Sequence, residues 1–125
     1  MPKDPVLMSL LFDYYGGTLT EKQADVYESY HTADLSLSEI AENNGITRQG
    51  VHDLLSRAEQ SLLDLESKLG FVSRFKDQSI RVNIITAALD EIEQLNNRIF
   101  NSPPMEINIK KIRDAMKNLV GNDGI

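Results

Sequence analysis

Cysteine and tryptophan are absent from this sequence. Without a thiol there are no disulfides, thiolate metal centres or cysteine nucleophiles, and the absence suits a reducing cytoplasm, the compartment expected for this chain. Histidine occurs only at His31 and His52, too few and too far apart to suggest a metal site, so no metal or other cofactor is expected. No apolar run approaches the roughly 20 residues that a membrane-spanning helix requires, and no membrane association is expected. The apolar patch in MPKDPVLMSLLFDYY is followed by no small-residue cleavage site and reads as a helix rather than a signal peptide. Gly16-Gly17 lacks the lysine and the flanking strand of a phosphate-binding loop. With no nucleophile–base pair either, the chain is expected not to be an enzyme. Strand alternation, internal repeats and low-complexity segments are also missing.

What remains is helical periodicity and punctuation. With 125 residues, 41% hydrophobic and 26% charged, the chain suits one small domain, or a module with an oligomerisation arm. Asp4 and Pro5 open a helix to Tyr15 with Leu7, Leu10, Leu11 and Tyr14 on one face, ended by Gly16-Gly17. Thr20 and Gln23 form a capping box for a second helix to about Thr32, buried through Ala24, Tyr27 and Tyr30 or His31. Ser36 and Glu39 form another, for a short helix from Leu37 to Asn43. Thr47 caps a long helix whose apolar stripe reaches Leu69, roughly 34 Å at 1.5 Å per residue, so its second half needs a partner helix. Gly70 to Ser79 reads as a hinge. A fifth helix, about Ile80 to Phe100, carries Ile85, Ala88, Ile92, Leu95 and Ile99 at the 3-4-3-4 spacing of a coiled-coil seam. Leu55, Ala58, Leu62, Leu65 and Leu69 repeat that spacing, and two such seams in a short chain predict a homodimer. Ser102-Pro103-Pro104 breaks the pattern before a last helix, about Met105 to Val120, using Ile109, Ile112, Met116 and Leu119. Gly121 ends it ahead of a frayed tail. The fold expected is all-α, without a β wing. Residues 1–69 form the first part and 70–125 a helical arm, together one compact unit.

The stretch LSEIAENNGITRQGVHDLLS carries the sharpest signal. A helix-turn-helix needs a small residue where the helices cross, met by Ala41, and a residue at ease with positive φ at the turn, met by Gly45. It also needs apolar side chains filling the wedge, met by Ile40, Ile46, Val51 and Leu54. With Leu19-Thr20-Glu21-Lys22-Gln23 before it and His52-Asp53 and Arg57 within or just after it, the stretch resembles region 4 of bacterial sigma factors. More closely, it resembles the YlxM family of small bacterial helix-turn-helix proteins. The resemblance covers residues 1–75 well and the C-terminal third loosely. It implies a sigma-region-4-like fold. Because genes of that family typically neighbour those for the signal recognition particle GTPase and its receptor, it also implies a regulatory role in that targeting pathway.

If the second helix enters a major groove, Thr47, Arg48, Gln49, His52 and Arg57 face the bases beside Asp53. There Arg48 suits guanine and Gln49 suits adenine, while Lys22 suits a phosphate. Charge argues the other way. Residues 18–69 hold four basic residues against ten acids, which accounts for the whole net charge of −6. Affinity for DNA comes largely from cations that neutralise phosphates. The candidate partners are DNA, from the helix-turn-helix, and, as the family resemblance implies, the signal recognition particle GTPase or its RNA. Arg74, Lys76 and Arg81, and Lys110, Lys111, Arg113 and Lys117, form basic groups that read first as solvated faces. Glu39 and Glu42 read as solubilising, and the four tyrosines as wrapping the core with hydroxyls in water.

Overall fold

A computed structural model describes residues 4–120, and every regular element among them is a helix. The elements are α1 (Pro5–Tyr15), α2 (Glu21–His31), α3 (Leu37–Asn44), α4 (Arg48–Leu69), α5 (Phe71–Leu95) and α6 (Pro103–Val120). A 3₁₀ turn, Gly16–Thr18, follows α1, and a π-helical turn, Asn96–Phe100, follows α5. The chain divides into two compact units between Arg74 and Phe75, inside the first turn of α5.

Each helix of the first unit starts where a side chain satisfies the orphan N–H groups of a first turn. Asp4 accepts from the Val6 N–H at 3.0 Å, with Pro5 at the first helical position. Both capping boxes close in both directions, Thr20 with Gln23 and Ser36 with Glu39. Thr47 accepts from the Gly50 N–H at 2.9 Å. The turn between α3 and α4 is made by Gly45 at φ 65°, which returns its N–H to the carbonyls of Ala41 and Glu42. A side chain with a Cβ is strained there.

One core cluster joins the helices: Leu11 and Tyr15 from α1, Val26 and Tyr27 from α2, Ile40 and Ala41 from α3, and Val51, Leu55, Ala58 and Leu62 from α4. Val72, from the first turn of α5, completes it. Helix α4 is unbroken over 22 residues, about 33 Å, and is the common wall on which α1, α2 and α3 pack. The partner its second half needs is therefore supplied within the chain. Leu65 is half-buried, and Leu69, at the end of the stripe, is exposed.

Four expectations are corrected here. The inward residues of α1 are Met8, Leu11 and Tyr15, whereas Tyr14 is 38% exposed and packs at the surface beside Phe71. Tyr15 is held inward by Glu66 and by the Phe71 N–H. The tyrosine hydroxyls of the core do not reach water: Tyr27 donates to the Met8 carbonyl at 2.6 Å and Tyr15 to Glu66 at 2.7 Å. Gly70 to Ser79 is not a hinge. Gly70, at φ 67°, ends α4, and α5 begins at the next residue. The exposed N–H groups of that new helix are met from a distance, because Glu66 accepts from Val72 and Ser73 at 3.0 and 3.1 Å while the Tyr15 oxygen accepts from Phe71 at 3.2 Å. Finally, α6 starts at Pro103, where the absent N–H costs nothing at the first helical position, and Ser102 accepts from Met105. The expected stop at Gly121 and the tail beyond it lie outside the described residues.

The second unit is an antiparallel helical hairpin. Buried Asn96 donates to the Ser102 carbonyl at 3.1 Å and accepts from the Ser102 N–H at 2.8 Å, fixing the reversal, with Asn101 at φ 45°. Along the hairpin, Arg113 donates to Asp90 at 2.7 Å, and Gln78 donates to the Leu119 carbonyl. Leu89 and Ile109 are its buried apolar residues.

Candidate nucleic-acid interface

Helix α4 presents its first turns to solvent because its buried stripe, Val51, Leu55, Ala58 and Leu62, faces α1, α2 and α3. Helical spacing then puts Arg48, Gln49, His52 and Arg57 outside, and all four are exposed. Among the described residues Arg48 and Arg57 pair with no acid, so both guanidinium groups are available. Gln49 and His52 are engaged: the Gln49 amide donates to Asp53 at 3.0 Å, and the His52 ring lies 3.6 Å from the same carboxylate. Thr47 uses its hydroxyl to cap the helix, leaving its methyl for any contact outside.

Behind this surface, the wedge is filled as a helix-turn-helix requires. Ile40 and Val51 are wholly buried, Ala41 nearly so, and Ile46 and Leu54 pack half-buried against the same cluster. Gly45 makes the turn. Lys22 lies apart from the α4 residues in the chain, on the first turn of α2, and shares a shallow groove with Glu21, Asp25 and Glu28. Three acids about one ammonium make this a poor phosphate cradle.

Sequence reasoning passed over Glu59. It is buried, and the His31 ring nitrogen lies 2.6 Å from its carboxylate, tying α2 to α4 beneath the exposed face. The His31 ring also packs on Tyr27, with centroids 4.5 Å apart. Burial first, and then the Glu59 charge, push the Tyr27 phenol well above its ordinary range, so Tyr27 stays a donor. The clue was in the spacing: Glu59 falls between Leu55 and Leu62 on the apolar stripe, where an acid needs a partner. One of the ten acids of residues 18–69 is thereby withdrawn from the surface.

The Lys110, Lys111, Arg113 and Lys117 group is not uniformly a solvated face. Arg113 is held by Asp90 and, at 3.4 Å, by Glu93. Its hydrogen bond to Asp90 pushes the guanidinium higher still, so it remains a cation. Near the end of α4, Arg74 donates to the Leu69 carbonyl and stands over the Phe71 ring.

Two capped helices crossing at a small residue, a left-handed glycine between them and an exposed second helix define an all-α helix-turn-helix protein. Among the described residues no helix is long and apolar enough to cross a membrane. Residues 3–101 match the family described as "Putative helix-turn-helix protein, YlxM / p13 like", and the chain belongs to that family. It is 50% identical over 86 residues to a UPF0122 protein of Desulforamulus reducens, covering 69% of this chain and 74% of that one. A UPF0122 protein of Thermoanaerobacter sp. is 43% identical over 94 residues, covering 75% and 80%. One from Symbiobacterium thermophilum is 40% identical over 91 residues, covering 73% and 85%.

Proposed function

We propose that this protein is a non-enzymatic regulator that binds DNA through the first turns of α4, acts as a cytoplasmic homodimer, and serves the signal recognition particle targeting pathway. The observation that carries the DNA reading is the exposed, unpaired state of Arg48 and Arg57 on a helix whose opposite face is locked into the core. Arg48 then reads guanine, and Arg57 meets the phosphate backbone. Two copies double the few cations each module offers. The pathway assignment rests on the resemblance to a family whose genes neighbour those of the targeting GTPase.

The test is a titration of the full chain against fluorescent duplex DNA at low salt, about 50 mM, where phosphate-driven affinity is greatest. Binding that disappears in an Arg48→Ala, Arg57→Ala double variant supports the reading. Equal retention of that variant and the parent rejects it.

A second reading is favoured by the acids that surround Lys22 and outnumber the cations of residues 18–69. In it the helix-turn-helix is a scaffold, and the partner is a basic protein surface or a ribonucleoprotein of the same pathway. A structured RNA run in parallel, and recovery of partners at low and high salt, separate the two readings.

A further inference from the structure

The hairpin of α5 and α6 has two unlike sides. At about 100° per residue, the α5 positions that face α6 run through Val82, Leu89 and Asn96. On one side of that line stands Asp90, clasped by Arg113 from α6. On the other stand Ile85, Ala88 and Ile92, continued by Leu95 and Ile99. Because α6 runs antiparallel, its Ile112 and Leu119 fall on this same side. One broad face of the hairpin is thus polar and closed by an ion pair, whereas the other is aliphatic and built from both helices.

That aliphatic face lies in water. Ile85, Ile92, Leu95, Ile99, Ile112 and Leu119 are each 43–64% exposed. Together they leave on the order of 500 Å² of apolar surface per chain, toward the upper end of the largest patches that monomers expose, which are often interaction surfaces. The hairpin itself buries little beyond Leu89, Asn96 and Ile109. The α5 stripe from Ile85 to Ile99 carries no charge at its 3-4-3-4 positions. Nucleic acid or a charged protein surface therefore gains nothing there.

We infer that the occupant is a second copy of this chain, docked hairpin to hairpin through the α5–α6 face to give a four-helix bundle. An isologous contact needs a surface complementary to itself, and an uncharged aliphatic face meets that condition. Two such faces together remove about 1,000 Å² from water, the lower bound for a specific interface. Ala88 on α5 and Ala115 on α6 are small side chains at the rim of this face, where they leave room for a second pair of helices. Four helices bury what two cannot. This surface rests on the homodimer reading above and extends it to α6, so that Ile112 and Leu119 join the seam on α5.

The full chain, its Ile92→Asp and Ile112→Asp variants, and an Ile107→Asp control are compared by sedimentation equilibrium, with circular dichroism to check folding. Ile107 is 55% exposed but points away from this face. The expected result is a dimer for the parent and the control, and a shift of dissociation by at least tenfold in each face variant. A parent that is monomeric at all concentrations overturns the homodimer itself. A dimer indifferent to Ile92→Asp and Ile112→Asp overturns this surface alone. The chain has no cysteine, so Ala88→Cys and Ile107→Cys give a check that does not depend on disrupting the fold. A short thiol cross-linker should join the first pair of chains and not the second, and the reverse outcome rejects the proposal.

Discussion

Tyr15 and Glu66, 51 residues apart in the chain, meet hydroxyl to carboxylate at 2.7 Å. The contact closes a small circuit, because Glu66 also accepts from Val72 and Ser73, and the Tyr15 oxygen accepts from Phe71. Three of the orphan N–H groups at the start of α5 are thus satisfied by side chains from α1 and α4. Tyr15→Phe removes one donor and one acceptor and is expected to cost about 1 kcal/mol. Glu66→Ala removes the cap of two N–H groups and is expected to cost roughly 2 kcal/mol. Urea unfolding of the two variants and their double measures both, and the double should lose less than the sum because the residues share one network.

The same circuit sets a pH dependence. Burial alone pushes the Glu66 carboxyl up. The Tyr15 hydroxyl, the Val72 and Ser73 N–H groups and the Arg74 charge outweigh it and hold the carboxyl below its ordinary value. A depressed carboxylate contributes stability that is complete above its unfolded-state value and lost as pH falls through the folded one. Tyr15 is shifted the opposite way, upward, by burial first and then by its bond to Glu66. Its contribution is complete below its unfolded-state value and lost as pH rises through the folded one. Thermal unfolding should therefore show a plateau at neutral pH and an acid limb that is shallower in Glu66→Gln. An identical acid limb in that variant would refute the assignment.

His31 and Glu59 meet at 2.6 Å with both side chains largely withdrawn from water. Removing either member breaks a charged contact that is largely withdrawn from water, so His31→Ala or Glu59→Ala is expected to cost about 3 kcal/mol. Replacing both by apolar residues of similar size should recover much of that loss. Chemical denaturation of the singles and the double decides it. A Glu59→Ala variant as stable as the parent would mean that the pair holds nothing together.

The parts of the fold that were legible in the sequence are those governed by local rules. Thr20 with Gln23, Ser36 with Glu39, and Thr47 with Gly50 are bonds between residues three apart. The glycine after α3 and the core stripe of α4 are likewise features of one short window. The parts that escaped depend on residues far apart in the chain. Nothing at Gly70 announces a helix start, since the residue directly before Phe71 is glycine and not serine, threonine or aspartate. The cap comes from Glu66, with Tyr15 behind it, and the stretch reads as a hinge until those two are brought together. The placing of Tyr14 rather than Tyr15 on the inward face has a similar origin: the 3.6-residue period admits both, and both rings lie near Phe71, but the Tyr15 hydroxyl bonds to Glu66 and to the Phe71 N–H and so draws that ring inward.

At the candidate interface, the residues on α4 were legible because an exposed helical face follows directly from the buried one. Their mutual contacts were not. The i to i+4 spacing of Gln49 and Asp53 permits the bond, but only the structure shows that it forms in preference to a free amide. The buried role of Glu59 was encoded in its place on the stripe and obscured by counting it with the surface acids.

The bond between Gln49 and Asp53 has a consequence for recognition. Any base edge that takes the Gln49 amide takes it from a carboxylate that already holds it. Such a contact is an exchange of one acceptor for another, and the free energy it adds to attachment is small. An edge of the wrong pattern cannot complete the exchange and leaves Asp53 facing the groove. Under the DNA-binding proposal, Gln49 is therefore expected to sharpen the choice among sequences more than it strengthens the grip on any of them.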